Sequence, residues 1–424
     1  MSRIPSAEVL QLPCLINAAK FGIIFTMKTL HITTLVTVAL SCAAAFAAND
    51  DIAKWDPLMA VSNAKVDQKG IKWIDGRYLP LEGKSFKNVD EFYDRLPSTV
   101  TTNVNAGVRG SKHHSAGLQF RFKTTSPHVS FRWTPRSNRL AMDHMPSTGV
   151  SGIDIYVQGK DGKWRYLKTG RISGGHSATG LLDRIAIAPG TPICVNLPLY
   201  NGIKYFALGI DKNANVEALG PRKSGVNKPV VFYGTSITHG GCCSRPGLAF
   251  VNIVGRDLDV PVVNLGFSGS GVMEFEMSEH LAAIDASCYV LDCLWNMGMT
   301  KATDVNNRRG RNVDQNYEPF IRNLRAKRPN VPIIMAERCD VFCRPQNSQD
   351  KFIRALYEKL IAEGWKNLVY LPKDKMFTGD LDGTVDGCHP NDLGMRSMAD
   401  AFGGAVREAL HLEARRPCCA QECK

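Results

Sequence analysis

The sequence has no apolar run long enough to be expected to cross a membrane as a stable helix. A span needs about 20 residues, and the apolar stretch from Leu35 through Ala48 falls short of that. It has no compact cysteine framework either. Of 13 cysteines, Cys242-Cys243 and Cys418-Cys419 are adjacent, and Cys339 and Cys343 are four apart. A structural zinc wants two such pairs, so no metal is expected, nor any cofactor; buried free thiols are the default. Concentrated positive charge is missing too. The net charge is +12, but Lys and Arg alternate with acids apart from short groups such as Arg308-Arg309-Gly310-Arg311. Without a basic patch to neutralise phosphates, no nucleic-acid partner is expected, and the excess reads as a solvated surface. An apolar share of 44% and a charged share of 22% exclude a fibrous or broadly disordered chain.

The N-terminus carries an export signal. Met27-Lys28 precedes the apolar run, which ends in Ala45-Phe46-Ala47, a small-x-small cleavage pattern. Residues 1–47 are expected to be removed, with the first 26 a spurious extension if translation begins at Met27. The mature chain is then secreted or periplasmic, with no stable membrane insertion. An uncleaved anchor and lipidation at Cys42 are the competing readings.

Two textures follow. From 48 to 225 short stretches alternate apolar and polar residues: Leu118–Phe122, Val129–Trp133, Ile153–Val157 and Trp164–Leu167. Period two means half-buried strands, and Gly159-Lys-Asp-Gly162 is a hairpin signal. A β-sandwich domain is expected here. Asp211 to Lys228 is polar and loop-like, a domain boundary. From 226 to 412 apolar runs recur at Val230–Tyr233, Val260–Val263, Tyr289–Leu291, Val331–Met335 and Leu368–Leu371. Helical stretches such as Tyr317–Lys327, Gln349–Gly364 and Met395–Leu410 lie among them. That alternation implies an α/β domain, a parallel sheet covered on both faces. The Cys-rich tail, 413–424, is expected to be loosely ordered.

The chemistry sits after the strands of the second part. Tyr233-Gly-Thr-Ser236 puts a serine where a strand ends and a helix begins, the edge at which parallel sheets bind ligands and helix N–H groups are free. Asp386-Gly-Cys-His389 sets an acid three residues from an imidazole, so one loop offers both a base and the group that orients it. Gly266-Phe-Ser-Gly269-Ser-Gly271 is a glycine-rich turn able to approach a substrate, and Trp295-Asn296 ends another strand with an amide donor. Each block alone has an ordinary reading: a helix cap, a surface turn, a flexible loop, a turn asparagine. Together they meet on one sheet edge.

In that chain order the blocks resemble those of the SGNH, or GDSL-type, serine hydrolases, over roughly 229–403. The resemblance implies a three-layer α/β/α fold without metal. It also implies Ser236 as nucleophile, His389 as base and Asp386 as its partner, with an oxyanion hole of the Ser236 and Gly269 N–H groups and the Asn296 amide. Two positions depart from the family pattern: Thr235 stands where Asp is common, and Leu294-Trp295-Asn296-Met297 replaces Gly-x-Asn-Asp. Gly152-Ile-Asp154-Ile-Tyr156 resembles the Gly-x-Asp-Leu-Tyr motif of a β-rich domain preceding some such hydrolases, a pairing that implies carbohydrate esterases. Asp154 and Tyr156 themselves read as the outward face of one strand. Loop 136–144 is a candidate to reach the active edge. His239 is a weaker rival base, and Cys242-Cys243 reads as core thiols or a disulfide before it reads as a nucleophile. The expected activity is hydrolysis of small acyl esters, chiefly O-acetyl on a saccharide, with a small-molecule or saccharide ester as partner. A lipase or lysophospholipase, and a non-catalytic carbohydrate-binding protein, are the alternatives.

Overall fold

A computed structural model describes residues 64–172, 179–300, 310–340, 344–376, 379 and 381–413. The segment expected to direct export (1–47) and the tail from 414 onward lie outside these residues. The described residues fall within one compact unit spanning Leu58–Lys424.

The upstream part is two antiparallel sheets. β1 (Ile71–Asp75), β4 (His128–Pro135), β7 (Gly180–Ala186) and β9 (Ile203–Asp211) pair in the order β1-β9-β4-β7. β3 (Gln119–Thr124), β5 (Ile153–Gln158), β6 (Trp164–Gly170), β8 (Ile193–Asn196) and β10 (Val216–Ala218) pair as β10-β3-β8-β5-β6, with β2 (Leu81–Glu82) on β3. Period-two patterning decides which face is dry: Val129, Phe131 and Trp133 of β4 are buried, as are Phe120 and Phe122 of β3. The sheets meet through Phe120 stacked on Phe206, centroids 4.4 Å apart, side chains of two inner faces packed as in a β-sandwich. The hairpin read at Gly159–Gly162 joins β5 to β6, closed by Gly159 N–H donating to Lys163 O at 3.0 Å. Two short helices, α1 (Ala106–Ser111) and α2 (Ser147–Val150), interrupt these strands.

The downstream part is a parallel sheet of β11 (Val230–Gly234), β12 (Val262–Gly266), β13 (Cys288–Asp292), β14 (Ile333–Ala336) and β15 (Leu368–Leu371), in the order β12-β11-β13-β14-β15. β12 starts two residues after the expected Val260, because Pro261 cannot donate to a ladder. The connecting helices are α3 (Ser236–His239), α4 (Phe250–Leu258), α5 (Phe275–Ala282), α6 (Val313–Lys327), α7 (Ser348–Ala362) and α8 (Asp392–Ala409). Strand residues alternate between two cores. Val230, Phe232, Val290 and Ile334 pack with Phe250 of α4 and Phe402 of α8. Val231, Tyr233, Leu291 and Met335 pack with Met277 of α5, Phe320 of α6 and Ile353 of α7. Helices on both faces bury each strand twice, which is why these strands are continuous apolar runs. The result is a three-layer α/β/α fold preceded by a β-sandwich. Among the described residues, no helix is long and apolar enough to cross a membrane.

The chain leaves β11 for β12 on one side and returns to β13 on the other. β11 therefore ends at a topological switch point, where connections diverge and leave a crevice at the carboxyl ends of the strands.

Candidate active site

Ser236 follows β11 by two residues and opens α3. Thr235 is the N-cap: its Oγ1 accepts from Ile237 N–H at 3.2 Å, a contact typically worth about 1 kcal/mol. A hydroxyl does here what a carboxylate would do elsewhere, so the Thr235 departure leaves the turn intact. Ser236 is 9% exposed, and among the described residues its own N–H donates to no protein acceptor.

Ser236 Oγ lies 2.9 Å from His389 Nε2. His389 Nδ1 lies 2.7 Å from Asp386 Oδ2. The Asp386 carboxylate also accepts from the backbone N–H of His389 at 2.7 Å and of Cys388 at 3.0 Å. Partial burial pushes this carboxyl up, but the donors from His389 and Cys388 outweigh it and hold the group down at about 2. A charged Asp386 places the imidazole proton on Nδ1, which leaves Nε2 as an acceptor facing Ser236. Ser236 and His389, 153 positions apart, and Asp386, three before the histidine, thus form one Ser–His–Asp line.

The glycine-rich turn after β12 lies against the end of β11. A Cβ on Gly271 would sit 2.0 Å from Gly234 O, so only glycine permits that approach. Gly269 has φ +67° and open space where a side chain would be. Among the described residues its N–H, like that of Ser236, donates to no protein acceptor. The Asn296 amide reaches this turn. In one orientation Nδ2 meets Phe267 O at a long 3.5 Å. In the other, Oδ1 accepts from Ser270 N–H at 3.0 Å and Gly271 N–H at 3.2 Å. The second satisfies more donors, although both N–H groups also reach Phe267 O, so these are three-centre bonds.

Trp295 is braced: its indole N–H donates to Cys339 O, and the Arg338 guanidinium lies 4.7 Å from its ring centroid. Arg344 donates to Gly387 O at 2.9 Å, holding the turn between Asp386 and His389. Arg311 donates to Gly269 O at 3.1 Å.

The upstream part is the larger surprise, because it touches three of the four blocks. Buried Arg95 donates to Asn264 O at 3.0 Å and Gly266 O at 2.9 Å. Tyr200 O–H donates to Ser236 O at 3.0 Å. The loop expected to reach the active edge does so: the His144 ring lies 5.8 Å from that of His389. Asp154 and Tyr156 correct an expectation. They are buried rather than outward-facing, since the downstream chain covers that face of β5. No local pattern marked Arg95 or Tyr200, because the carbonyls they meet lie far away in sequence.

His239 is fully buried behind Ser236, stacked on Tyr200 at 4.1 Å and 3.3 Å from His114 Nδ1. Burial, with Arg95 adding to it, pushes its imidazole well below the ordinary value, and no contact joins it to Ser236 Oγ. Cys242 and Cys243 are free and buried, and burial pushes the Cys242 thiol up to about 12, away from the thiolate a nucleophile needs. Asp292, at the end of β13, was not singled out from sequence. Burial raises it from 3.8 to about 6, against donors from Cys339 Sγ at 2.9 Å and Thr238 Oγ1 at 2.6 Å. Asp90, Asp94 and His113 bring ligand atoms together. Lys112 Nζ, however, lies 2.7 Å from Asp90 and His113 Nδ1 lies 2.9 Å from Asp94, so each carboxylate already has its cation or donor.

Residues 227–407 match the model of the GDSL-like lipase/acylhydrolase family. Residues 71–216 match the GxDLY N-terminus of SGNH-hydrolase-type esterases. Among solved structures, a GDSL-like lipase from Bacteroides ovatus is 28% identical with a TM-score of 0.71, over 82% of this chain and 100% of that one. The salicylyl-acyltransferase SsfX3 from a tetracycline biosynthetic pathway is 16% identical, TM-score 0.63, over 81% and 98%. A family two carbohydrate esterase from Cellvibrio japonicus is 10% identical, TM-score 0.50, over 80% and 98%. The last two share the fold. No curated protein matches the chain.

Proposed function

This chain belongs to the GDSL-like lipase/acylhydrolase family, and on that premise we propose that it is an exported serine esterase that removes small acyl groups, chiefly O-acetyl, from hydroxylated substrates such as saccharides. The observation that carries the reading is the continuous Ser236–His389–Asp386 line, with 2.9 and 2.7 Å links.

In the first half-reaction Ser236 Oγ attacks the ester carbonyl carbon as His389 Nε2 takes its proton. The carbonyl oxygen becomes an oxyanion, met by the N–H groups of Ser236 and Gly269 and by Asn296 Nδ2. Asp386 stabilises the imidazolium across Nδ1. When the tetrahedral intermediate collapses, the C–O bond to the alcohol breaks and His389 returns its proton to the departing alkoxide. An acyl-Ser236 remains. Water, deprotonated by His389, attacks that acyl carbon, and collapse releases the carboxylic acid and restores the serine. No metal is needed at any step.

The preference for a short acyl group and a polar alcohol rests on the rim. His389 and Asp386 side chains are 23% and 41% exposed, so the pair opens directly to solvent. The groups beside it are polar, His144 and Arg344, and Trp295, backed by Arg338, directly precedes Asn296. Such a rim suits hydroxyl groups and the face of a sugar ring better than a long hydrocarbon chain. Secretion rests on the Met27–Ala47 pattern of the sequence alone.

Ser236→Ala is expected to abolish p-nitrophenol release from p-nitrophenyl acetate. Full activity in that variant refutes the nucleophile. Wild-type rates on acyl chains from two to twelve carbons are expected to fall with length; a rise with length would make the protein a lipase instead.

A further inference from the structure

The carboxylate of Asp154 is 0% exposed, yet it belongs to the β-sandwich and its partners belong to the downstream chain. Oδ2 accepts from Arg245 Nη1 at 2.9 Å and from Gly247 N–H at 2.8 Å. Oδ1 accepts from Asn196 Nδ2 at 2.8 Å, which anchors it to the neighbouring strand β8. Tyr156, two residues on and on the same face of β5, completes the grip. Its hydroxyl accepts from Arg245 Nη1 at 2.5 Å, and its ring fills the place a side chain at Gly247 would need, 2.4 Å from the ideal Cβ.

The segment so held, 244–247, is the far part of the strap, 241–247, that leaves the nucleophile helix. At its start Gly241 N–H donates to Ser236 O at 2.8 Å. At Ser244 the backbone N–H donates to Asp392 Oδ1 at 2.9 Å, and Asp392 opens α8 three residues after His389. Ser244 O accepts from Thr148 Oγ1 at 2.5 Å, a second tie to the sandwich. The strap therefore touches both the Ser236 turn and the segment carrying His389, and its far end hangs on one buried carboxylate.

We propose that Asp154 is a positioning residue for the reaction: by holding Arg245 and Gly247 it sets the strap that keeps His389 Nε2 within reach of Ser236 Oγ. The motif Gly152-Ile-Asp154-Ile-Tyr156 then makes the β-sandwich part of the catalytic alignment rather than a separate module. The inference rests on the esterase reading above. A displacement of about 1 Å between reacting groups costs roughly a hundredfold in rate, so even a partly relaxed strap should register.

The test uses the full chain and compares wild type with Asp154→Asn, Tyr156→Phe, Arg245→Gln and the Asp154→Asn/Arg245→Gln double variant. Each is titrated with a fluorophosphonate, which counts reactive Ser236, and assayed on p-nitrophenyl acetate well below its melting temperature. The expected result for Asp154→Asn is a full titration endpoint, a kcat per labelled site down roughly ten- to hundredfold, and KM within about twofold. The double variant should be no worse than Asp154→Asn, since both remove the same link. Tyr156→Phe, the milder change, should fall in the same direction by a smaller factor. A carboxylate that only stabilises the fold would lower the melting temperature or the endpoint and leave kcat per labelled site unchanged; that outcome overturns the proposal. Wild type that takes no label at Ser236 overturns the esterase reading itself, and the positioning role with it.

Discussion

Asp386→Asn tests the proposed mechanism at its most informative point. Asn is isosteric, and its Oδ1 keeps the two acceptor contacts to the backbone N–H groups of His389 and Cys388, so the turn should hold. What is lost is the charged oxygen 2.7 Å from Nδ1. An amide NH2 facing Nδ1 favours the tautomer protonated on Nε2, and that nitrogen then no longer accepts the serine proton. In a serine protease with a buried triad aspartate the same change costs about 10⁴ in kcat. Here the Asp386 side chain is 41% exposed, and solvent screens its charge. The loss should therefore be smaller, about 10²–10³ in kcat, or roughly 3–4 kcal/mol of transition-state stabilisation. The assay is steady-state hydrolysis of p-nitrophenyl acetate at pH 8, with thermal melting to show that the turn has not unfolded. KM should change little, because Asp386 touches no substrate. A kcat within fivefold of wild type refutes the assignment of Asp386 as the group that orients His389.

Asn296→Ala should lower kcat by about 10²–10³ with little change in KM, the usual cost of removing one oxyanion donor; a purely KM effect would place the amide in ground-state binding instead. Asp292 offers a pH test of stability. Burial holds its folded value at about 6 against 3.8 when exposed. A raised acid contributes stability that is present below about pH 4 and lost as pH rises through about 6. Asp292→Asn never ionises, so its melting temperature should gain on wild type between pH 4 and pH 8, by up to roughly 3 kcal/mol in free energy. Parallel melting curves across that range would show that Asp292 is not held protonated.

Local patterns carried most of the architecture. Period-two stretches such as Val129–Trp133 became half-buried strands, and continuous runs such as Val230–Tyr233 became strands covered twice, because each pattern suits one solvent environment. The Ser236, Gly269, Asn296 and Asp386–His389 blocks were legible for a related reason. Each follows a strand of one parallel sheet, and the carboxyl ends of parallel strands all face one edge. His389 and Asp386 were readable as a pair because three residues and one turn join them.

The contacts that cross between the two parts were not legible. Arg95 gives no sign in sequence that its guanidinium reaches Asn264 O and Gly266 O, nor Tyr200 that it reaches Ser236 O. Backbone carbonyls are present at every residue, so nothing in the chain says which ones a distant donor will meet. Asp154 on its own strand looked like an outward-facing acid, since period two describes a strand's two faces but not what lies against them. The sequence by itself determined the fold class, the chain order of the proposed reacting groups and the turn chemistry around Ser236, all consequences of short-range patterning. Only the tertiary structure decided that β5 is covered, that its carboxylate holds the strap from Ser244 to Gly247, and that His144 stands beside His389. Those depend on how two independently patterned layers dock, and burial created by docking is a property of the pair.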